Sequence, residues 1–95
     1  MFRNFSDLMR ENKAIGHHWF DADALRFFNT EIESSLLVRG GRQFFITSDR
    51  MELDDEKRYS IREVRPDGRI KTYGKELREH ATVAEAIRIA EKAFR

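Results

Sequence analysis

Two histidines and two aspartates, side chains that commonly bind transition metals, lie together between His17 and Asp23. A site built from two histidines and a carboxylate needs its side chains to converge on the metal. The adjacent residues His17 and His18 point apart in most backbone geometries, and Asp21 and Asp23 also suit the start of a helix. We therefore expect no metal site and no cofactor.

No constellation typical of carboxylate or nucleophilic catalysis is present in the chain. Two carboxylates can act as general acid and general base only when they are buried at a fixed separation with separated pKa values. The acidic residues here lie in a charged loop, at helix starts or beside arginines. Ser34-Ser35 lacks the glycines of a nucleophile elbow, and Gly40-Gly41 lacks the lysine of a phosphate loop. The absence of cysteine excludes thiolate catalysis. We expect a protein that is not an enzyme.

Large aromatic side chains are concentrated between Gly16 and Phe28, where the single tryptophan is accompanied by three phenylalanines. Aromatic residues and arginine often anchor protein interfaces, although in a small domain they more often form the core. Residues 49–56 add five acidic side chains and one arginine. We therefore predict stoichiometric binding of a protein partner. The candidate contact residues are His17, His18, Trp19, Arg26, Asp54, Asp55 and Glu56.

Basic residues are concentrated just after the acidic stretch, with eight lysines and arginines against three acidic residues in 57–78. Basic strands that carry aromatic side chains bind single-stranded nucleic acids. The alternative function is therefore a nucleic-acid-binding accessory domain that uses a basic hairpin, 57–73. Its candidate residues are Arg58, Tyr59, Arg62, Arg69 and Lys71. The nearby acidic stretch would weaken phosphate attraction, and arginine stems also cover apolar surface in ordinary sheets.

The composition is typical of one folded domain, 1–95. Hydrophobic residues make up 40% and charged residues 37% of the 95, and the net charge is only +1. No apolar run approaches the roughly 20 residues of a membrane span, and the first residues do not resemble a signal peptide. We expect a cytoplasmic protein that does not enter membranes, either a monomer or a homodimer.

The first and last helices have clear sequence signals. A helix over 4–14 has apolar residues at helical spacing, with Asn4 or Ser6 as its N-cap. The last helix begins with a capping box, in which Thr82 and Glu85 would satisfy each other's backbone N–H groups. Its apolar stripe is formed by Val83, Ala86, Ile87, Ala90 and Phe94.

A second helix is predicted between the first helix and the sheet. Gly16 can end the first helix as its C′ residue, and Asp21 can cap the next one. Phe20 and Leu25 have the spacing of a hydrophobic staple. This helix should end near Asn29-Thr30.

Turn signals predict two β-hairpins joined by the acidic connection 49–56. Gly40-Gly41 forms the first turn, and Pro66-Asp67-Gly68 the second. The predicted strands are 32–39, 42–48, 57–65 and 69–73. The first turn pairs Leu37 with Phe44, Ser35 with Ile46, Leu36 with Phe45, and Val38 with Gln43. We predict an α+β fold, α-α-β-β-β-β-α, in which an antiparallel four-stranded sheet of two hairpins packs against N-terminal helices and a C-terminal helix.

Three segments resemble a known group: Gly16 to Ile32, Phe44 to Ser48, and Tyr59 to Glu63. They are similar to small uncharacterised proteins of bacteriophages, plasmids and integrated elements, with the pattern Gly-x-His-Trp-Phe, Met-Arg-Phe-Phe, Arg-Ile, Phe-x-Thr-Ser and Tyr-x-x-Arg. Leu25 replaces the expected Met, and Glu31 replaces the expected Arg. The resemblance implies a small mobile-element protein, not an enzyme, that binds and blocks host machinery, including defence systems. It assigns no role to any residue.

Overall fold

A five-stranded antiparallel sheet separates the C-terminal helix from the N-terminal part of the chain. The structure is a computed structural model that describes residues 1–95. Its elements are α1 (Phe5–Ala14), α2 (Ala22–Phe27), β1 (Glu31–Ile32), β2 (Leu37–Arg39), β3 (Arg42–Asp49), β4 (Arg58–Val64), β5 (Ile70–Tyr73) and α3 (Val83–Ala93). The α+β class and the antiparallel sheet are confirmed, whereas the predicted count of four strands is wrong. None of the helices has the length and apolar character needed to cross a membrane.

The central strand is β3, in which seven of the eight residues are buried. It pairs with β4 along one edge and with both β1 and β2 along the other, while β5 pairs with β4. The two-residue turn at Gly40 and Gly41 needs a positive φ at both positions, and these are +58° and +73°. As predicted, the turn pairs Leu37 with Phe44.

The predicted strand 32–39 is interrupted in its middle, which produces the fifth strand. The Ser34 hydroxyl accepts a hydrogen bond from the backbone N–H of Ile46 at 2.9 Å, and Glu33 N–H donates to the Ile46 carbonyl at 2.8 Å. A serine side chain thus replaces a backbone carbonyl, and the strand leaves the ladder. For this reason the predicted pairs of Ser35 with Ile46 and of Leu36 with Phe45 do not form.

The face of the sheet beneath α3 carries an apolar core. Thr82 caps the helix by accepting from Glu85 N–H at 3.1 Å, whereas the Glu85 carboxylate accepts from Ala81 N–H at 2.9 Å and not from Thr82. The predicted stripe faces the sheet. The six buried residues of this core are Phe44, Ile46, Ile61, Ala86, Ala90 and Phe94.

The opposite face is covered by α1 and the aromatic segment that follows it. Asn4 is the N-cap of α1, and its side chain accepts from Asp7 N–H at 2.9 Å. Gly16, with φ +80°, follows the helix as predicted. Leu8 is fully buried on this face. Phe45 lies at the centre of its aromatic contacts, with ring centroids 5.2 to 6.0 Å from those of Phe5, Trp19 and Phe20.

Candidate functional site

The short helix α2 lies over the N-terminal face of the sheet without burying any of its own residues. Asp21 occupies the predicted N-cap position, but its carboxylate makes no capping hydrogen bond. It instead lies 3.2 Å from Nδ1 of His18. The helix ends at Phe27, earlier than predicted, because Asn29 adopts a left-handed backbone with φ +49°. Six helical residues are not stable in isolation, so neighbouring segments must hold α2 in place.

A groove of about 610 Å³ separates α2 from the sheet, a volume within the range of roughly 300–1,000 Å³ for ligand pockets. We call it the α2 groove. It is lined by Trp19, Asp23, Ala24, Leu25, Phe27, Phe28, Thr30, Arg62, Thr72 and Leu77. Most of its wall is apolar, and Phe27 at its edge is 76% exposed. An aromatic ring this exposed, beside an apolar depression, is typical of a binding surface.

Arg62 forms the polar floor of the α2 groove. Its guanidinium donates to Thr47 Oγ1 at 2.9 Å, to Thr72 Oγ1 at 2.6 Å and to Asp49 Oδ1 at 2.9 Å. The guanidinium also lies 5.3 Å from the centre of the Trp19 ring, within cation–π distance. Burial lowers the pKa of Arg62, while the Asp49 carboxylate opposes that shift.

Asp49 balances this buried charge and has no exposed surface of its own. Besides Arg62, its carboxylate accepts hydrogen bonds from Thr30 Oγ1 at 2.6 Å and from Ser60 Oγ at 2.9 Å. The Ser60 hydroxyl also accepts from the backbone N–H of Arg78 at 2.8 Å. The carboxylate is thus fully hydrogen-bonded, whereas two of the five N–H donors of Arg62 have no partner within the protein.

Trp19 is held in the groove wall by the buried side chain of Asn12. The Asn12 amide accepts from the backbone N–H of Trp19 at 2.8 Å and donates to the Gly68 carbonyl, also at 2.8 Å. The amide nitrogen of Asn12 also lies 3.1 Å from Nδ1 of His17. The His17 side chain therefore contacts α1 and the β4–β5 turn instead of the groove. His18 is exposed beside Asp21. No group of three or more His, Asp or Glu side chains is placed to hold a metal ion.

The acidic connection packs beside α2, on the other side from the groove. Arg50 N–H donates to the Phe28 carbonyl at 2.8 Å, and Asn29 Nδ2 donates to the Arg50 carbonyl at 3.1 Å. Leu53, which is 72% exposed, and Arg26 line a second depression against α2. Of the predicted contact residues, Asp54 and Glu56 are exposed, while Asp55 caps its own turn through Glu52 N–H.

The predicted nucleic-acid residues are not brought together on one exposed face. Arg58 donates to the carbonyls of Arg78 and Glu79 at 3.0 and 2.9 Å, and Tyr59 packs against the core under α3. Arg62 is buried in its ion pair. Only Arg69, in the β4–β5 turn, and Lys71, on the opposite sheet face from Arg62, are exposed. The hairpin 57–73 therefore presents no continuous basic strand surface.

Strand alternation in the sequence could have identified Asp49 as part of the site, whereas no sequence pattern could have identified Leu77. Asp49, predicted to lie in the acidic connection, is the last residue of β3. Alternation along the strands could have found it, because Phe45, Asp49 and Arg62 share one face of the sheet. Leu77 reaches the groove from the irregular segment after β5, for which no local pattern exists.

Comparison with known families places the site within a recognised protein family. A family model described as a family of unknown function, DUF7447, matches residues 4–91. This chain belongs to the DUF7447 family. The match contains α1, α2, the whole sheet and nearly all of α3, so the α2 groove lies entirely within the DUF7447 region. Comparison with curated proteins and with solved structures finds no match.

Proposed function

We propose that this DUF7447 chain is a small, non-enzymatic binding protein whose α2 groove receives an apolar side chain of a protein partner. The observation that carries the proposal is the exposed ring of Phe27 at the edge of an apolar groove. Burying one large apolar side chain contributes about 1.5–3 kcal/mol, which is the scale of an interface hot spot.

Exposed apolar side chains extend this surface beyond the groove itself. Met51 and Leu53 are 57% and 72% exposed, and both lie in the connection that packs against α2. Together with Phe27 they provide three of the six large exposed hydrophobic residues of the chain. A partner that covers α2 from both sides would remove all three from water, whereas a small ligand in the groove would leave Leu53 exposed.

The charges around this surface favour a partner with basic residues next to its apolar anchor. Asp21, Asp23 and Glu31 are exposed on or beside α2, and each lies within 4 Å of a basic side chain, which is His18, Arg26 or Lys57 respectively. The negative field comes mainly from the neighbouring connection, whose exposed carboxylates at Glu52, Asp54 and Glu56 form no ion pair. Such a field increases the association rate of a positively charged partner and opposes the approach of phosphate groups. For this reason we assign the surface formed by α2, the α2 groove and the acidic connection, which we call the α2 surface, to a protein and not to a nucleic acid.

The biological setting of the proposal comes from the sequence resemblance described above. The segment Gly16 to Ile32, which resembles phage, plasmid and integrated-element proteins, supplies all of α2 and seven of the ten residues that line the groove. We propose that the chain acts stoichiometrically on a host protein or complex, including a defence system. In this setting Trp19 and Arg26 contact the partner directly, and His18 lies at the edge of the interface.

Comparative affinity capture tests the proposal. Wild-type protein and the Phe27→Ser variant are used as baits in a lysate of the source organism, with and without nuclease. Val38→Ser is the matched control, because Val38 is also exposed, at 53%, but lies on β2. We expect a nuclease-resistant protein that wild type and the control retain and that Phe27→Ser loses by about tenfold. A partner retained equally by all three baits would contradict the assignment to the α2 surface.

A further inference from the structure

A second charged surface lies at the far end of the sheet from the α2 surface. The turn that joins β2 to β3 and the connection that leaves β3 are separated by the length of that strand, about 24 Å. At the turn, a depression of about 250 Å³ is lined only by charged side chains. These residues are Arg39, Arg88, Glu91, Lys92 and Arg95.

The four basic side chains in this depression are exposed and lack a carboxylate partner within 4 Å. No ion pair of the structure involves Arg39, Arg88, Lys92 or Arg95. Glu91 and Arg95 have the i,i+4 spacing of a helical ion pair, but α3 ends at Ala93 and the pair does not form. Four cations here therefore face one acidic side chain, Glu91, and none of the four is held in an ion pair.

The β4–β5 turn extends the same basic surface. Gln43, near the start of β3, pairs with Val64 at the end of β4, so this turn lies at the Arg39 end of the sheet. Arg65 of the turn lines a depression together with Gly41 and Arg42. The Arg42 guanidinium is already paired with an acidic side chain, because it donates to the Glu63 carboxylate at 2.7 Å. We call Arg39, Arg65, Arg88, Lys92 and Arg95 the basic end.

The ordinary explanation for basic residues at a helix C-terminus is complementarity with the helix dipole. That explanation accounts for Lys92 and Arg95. It does not account for Arg39, which comes from the β2–β3 hairpin and lines the same depression as the helix cations, where it increases their mutual repulsion. Cations from separate segments that meet without forming an ion pair, as Arg39 and the helix cations do, are instead typical of a surface that binds a polyanion.

We propose that the basic end binds the phosphate backbone of a nucleic acid. Four of its five cations are arginines, whose planar guanidinium can contact two phosphate oxygens at once. Arg88 and Lys92 are one helical turn apart, so the positive charge is spread along a line, as suits a linear polyanion. No hydrophobic or aromatic residue lines the depression at its centre, unlike a membrane-inserting surface or a protein hot spot. This proposal is independent of the α2 surface and uses none of its residues.

Fluorescence anisotropy with a labelled 20-nucleotide DNA strand and a 20-base-pair duplex tests the proposal, from 25 to 200 mM NaCl. The variant is Arg88→Glu with Arg95→Glu. The matched control is Arg10→Glu with Lys75→Glu, which changes the net charge equally at exposed positions. Arg10 lies on α1, on the opposite face of the sheet from α3, and Lys75 lies after β5. Circular dichroism establishes that both variants are folded.

We expect wild type to bind at least one DNA, with log affinity falling by about 2–4 for each unit of log salt. The basic-end variant should bind at least about tenfold more weakly and with a salt slope smaller by about 2, one unit for each lost phosphate contact. The control should change affinity by less than threefold.

Three results would overturn the proposal. The first is no binding of either DNA at 25 mM NaCl. The second is an equal loss of affinity in the control variant, which would mean that net charge alone attracts the DNA. The third is competition by polyglutamate of matched charge as effective as that by unlabelled DNA, which would assign the basic end to acidic protein segments.

Discussion

The two faces of the sheet are covered in different ways. Under α3, the strands carry Phe44, Ile46 and Ile61, and the helix adds Ala86, Ala90 and Phe94, so the layer is apolar throughout. On the other face, the aromatic cluster around Phe45 is followed by a buried ion pair, Asp49–Arg62, beneath a six-residue helix that has no fully buried residue. One face is closed by a regular helix, and the other remains open as the α2 groove.

This difference separates the part of the molecule that stabilises the fold from the part available for binding. A buried charge pair contributes little net stability compared with well-packed apolar residues, but removal of one partner is strongly destabilising. The groove floor is therefore fixed in position by hydrogen bonds, while its rim, formed by α2, can change in sequence with little effect on folding. Four predictions test this view.

The largest effect is expected when Asp49 is replaced by alanine. This substitution leaves the Arg62 guanidinium buried without its counter-charge and should lower the free energy of unfolding by about 3–5 kcal/mol. Urea denaturation measures the change. The double variant Asp49→Leu with Arg62→Met should recover most of the loss. A cost below about 1 kcal/mol for Asp49→Ala would show that the ion pair is not what holds this face.

A phenylalanine comparison contrasts the two helices directly. Phe94 is 1% exposed at the end of α3, and its removal as Phe94→Ala should cost about 3–4 kcal/mol through lost burial and a cavity. Phe27→Ala on α2 should change stability by less than about 0.5 kcal/mol, because the ring is already in water. Thermal and urea unfolding of both variants test the contrast, which fails if the two losses are similar.

Capping residues should show the same contrast on a smaller scale. Thr82 accepts from Glu85 N–H, so Thr82→Ala should cost about 1 kcal/mol of the unfolding free energy. Asp21 makes no capping hydrogen bond and only an exposed contact with His18, so Asp21→Ala should cost about 0.3 kcal/mol. Equal losses in urea titrations of the two variants would mean that Asp21 caps α2 in solution.

The smallest expected effect is on the pH dependence of folding stability, through Glu63 on the α3 side of the sheet. The hydrogen bond from Arg42 lowers the pKa of Glu63 from its ordinary value of 4.5, although burial opposes the shift. A carboxylate whose pKa is lowered by folding stabilises the protein above pH 4.5, and this contribution disappears as the pH falls through the folded-state pKa. It amounts to about 0.5 kcal/mol, since Arg42 is partly exposed.

Glu63→Gln should therefore flatten the dependence of stability on pH between about pH 5 and 3. Urea titrations of both proteins across this range provide the measurement. The pKa of Glu33 is also lowered in the folded protein, but this carboxylate contacts Ser48 and Lys57 and is unchanged by the substitution. An unchanged pH profile would assign the acid sensitivity to Glu33 instead.

The α3 face was predictable because its signals are local. The Thr82 cap, the stripe that ends at Phe94, and the Gly40-Gly41 turn each depend on residues close in sequence. The hairpin register followed from the turn, and Leu37 pairs with Phe44 as expected. The interruption at Ser34 was not predictable in this way, because a side-chain hydroxyl there competes with the backbone for Ile46 N–H.

The candidate site was less predictable because its parts come from distant segments. Trp19 was identified as a contact residue, but its neighbours in the groove include Arg62, Thr72 and Leu77. Charge counting along the chain separated an acidic stretch from a basic one, whereas antiparallel pairing of β3 with β4 brings Asp49 and Arg62 together. A count along the sequence cannot show that two opposite charges cancel across a sheet.

The weak anchoring of α2 has a consequence for how the molecule moves. Its C-terminal end is tied to the acidic connection by two hydrogen bonds, Arg50 N–H to Phe28 O and Asn29 Nδ2 to Arg50 O, and no buried residue of the helix resists separation. Opening of α2 therefore does not require the sheet to unfold. Amide protons of the helix should exchange with solvent much faster than those of β3, and a bound partner would slow the helix alone.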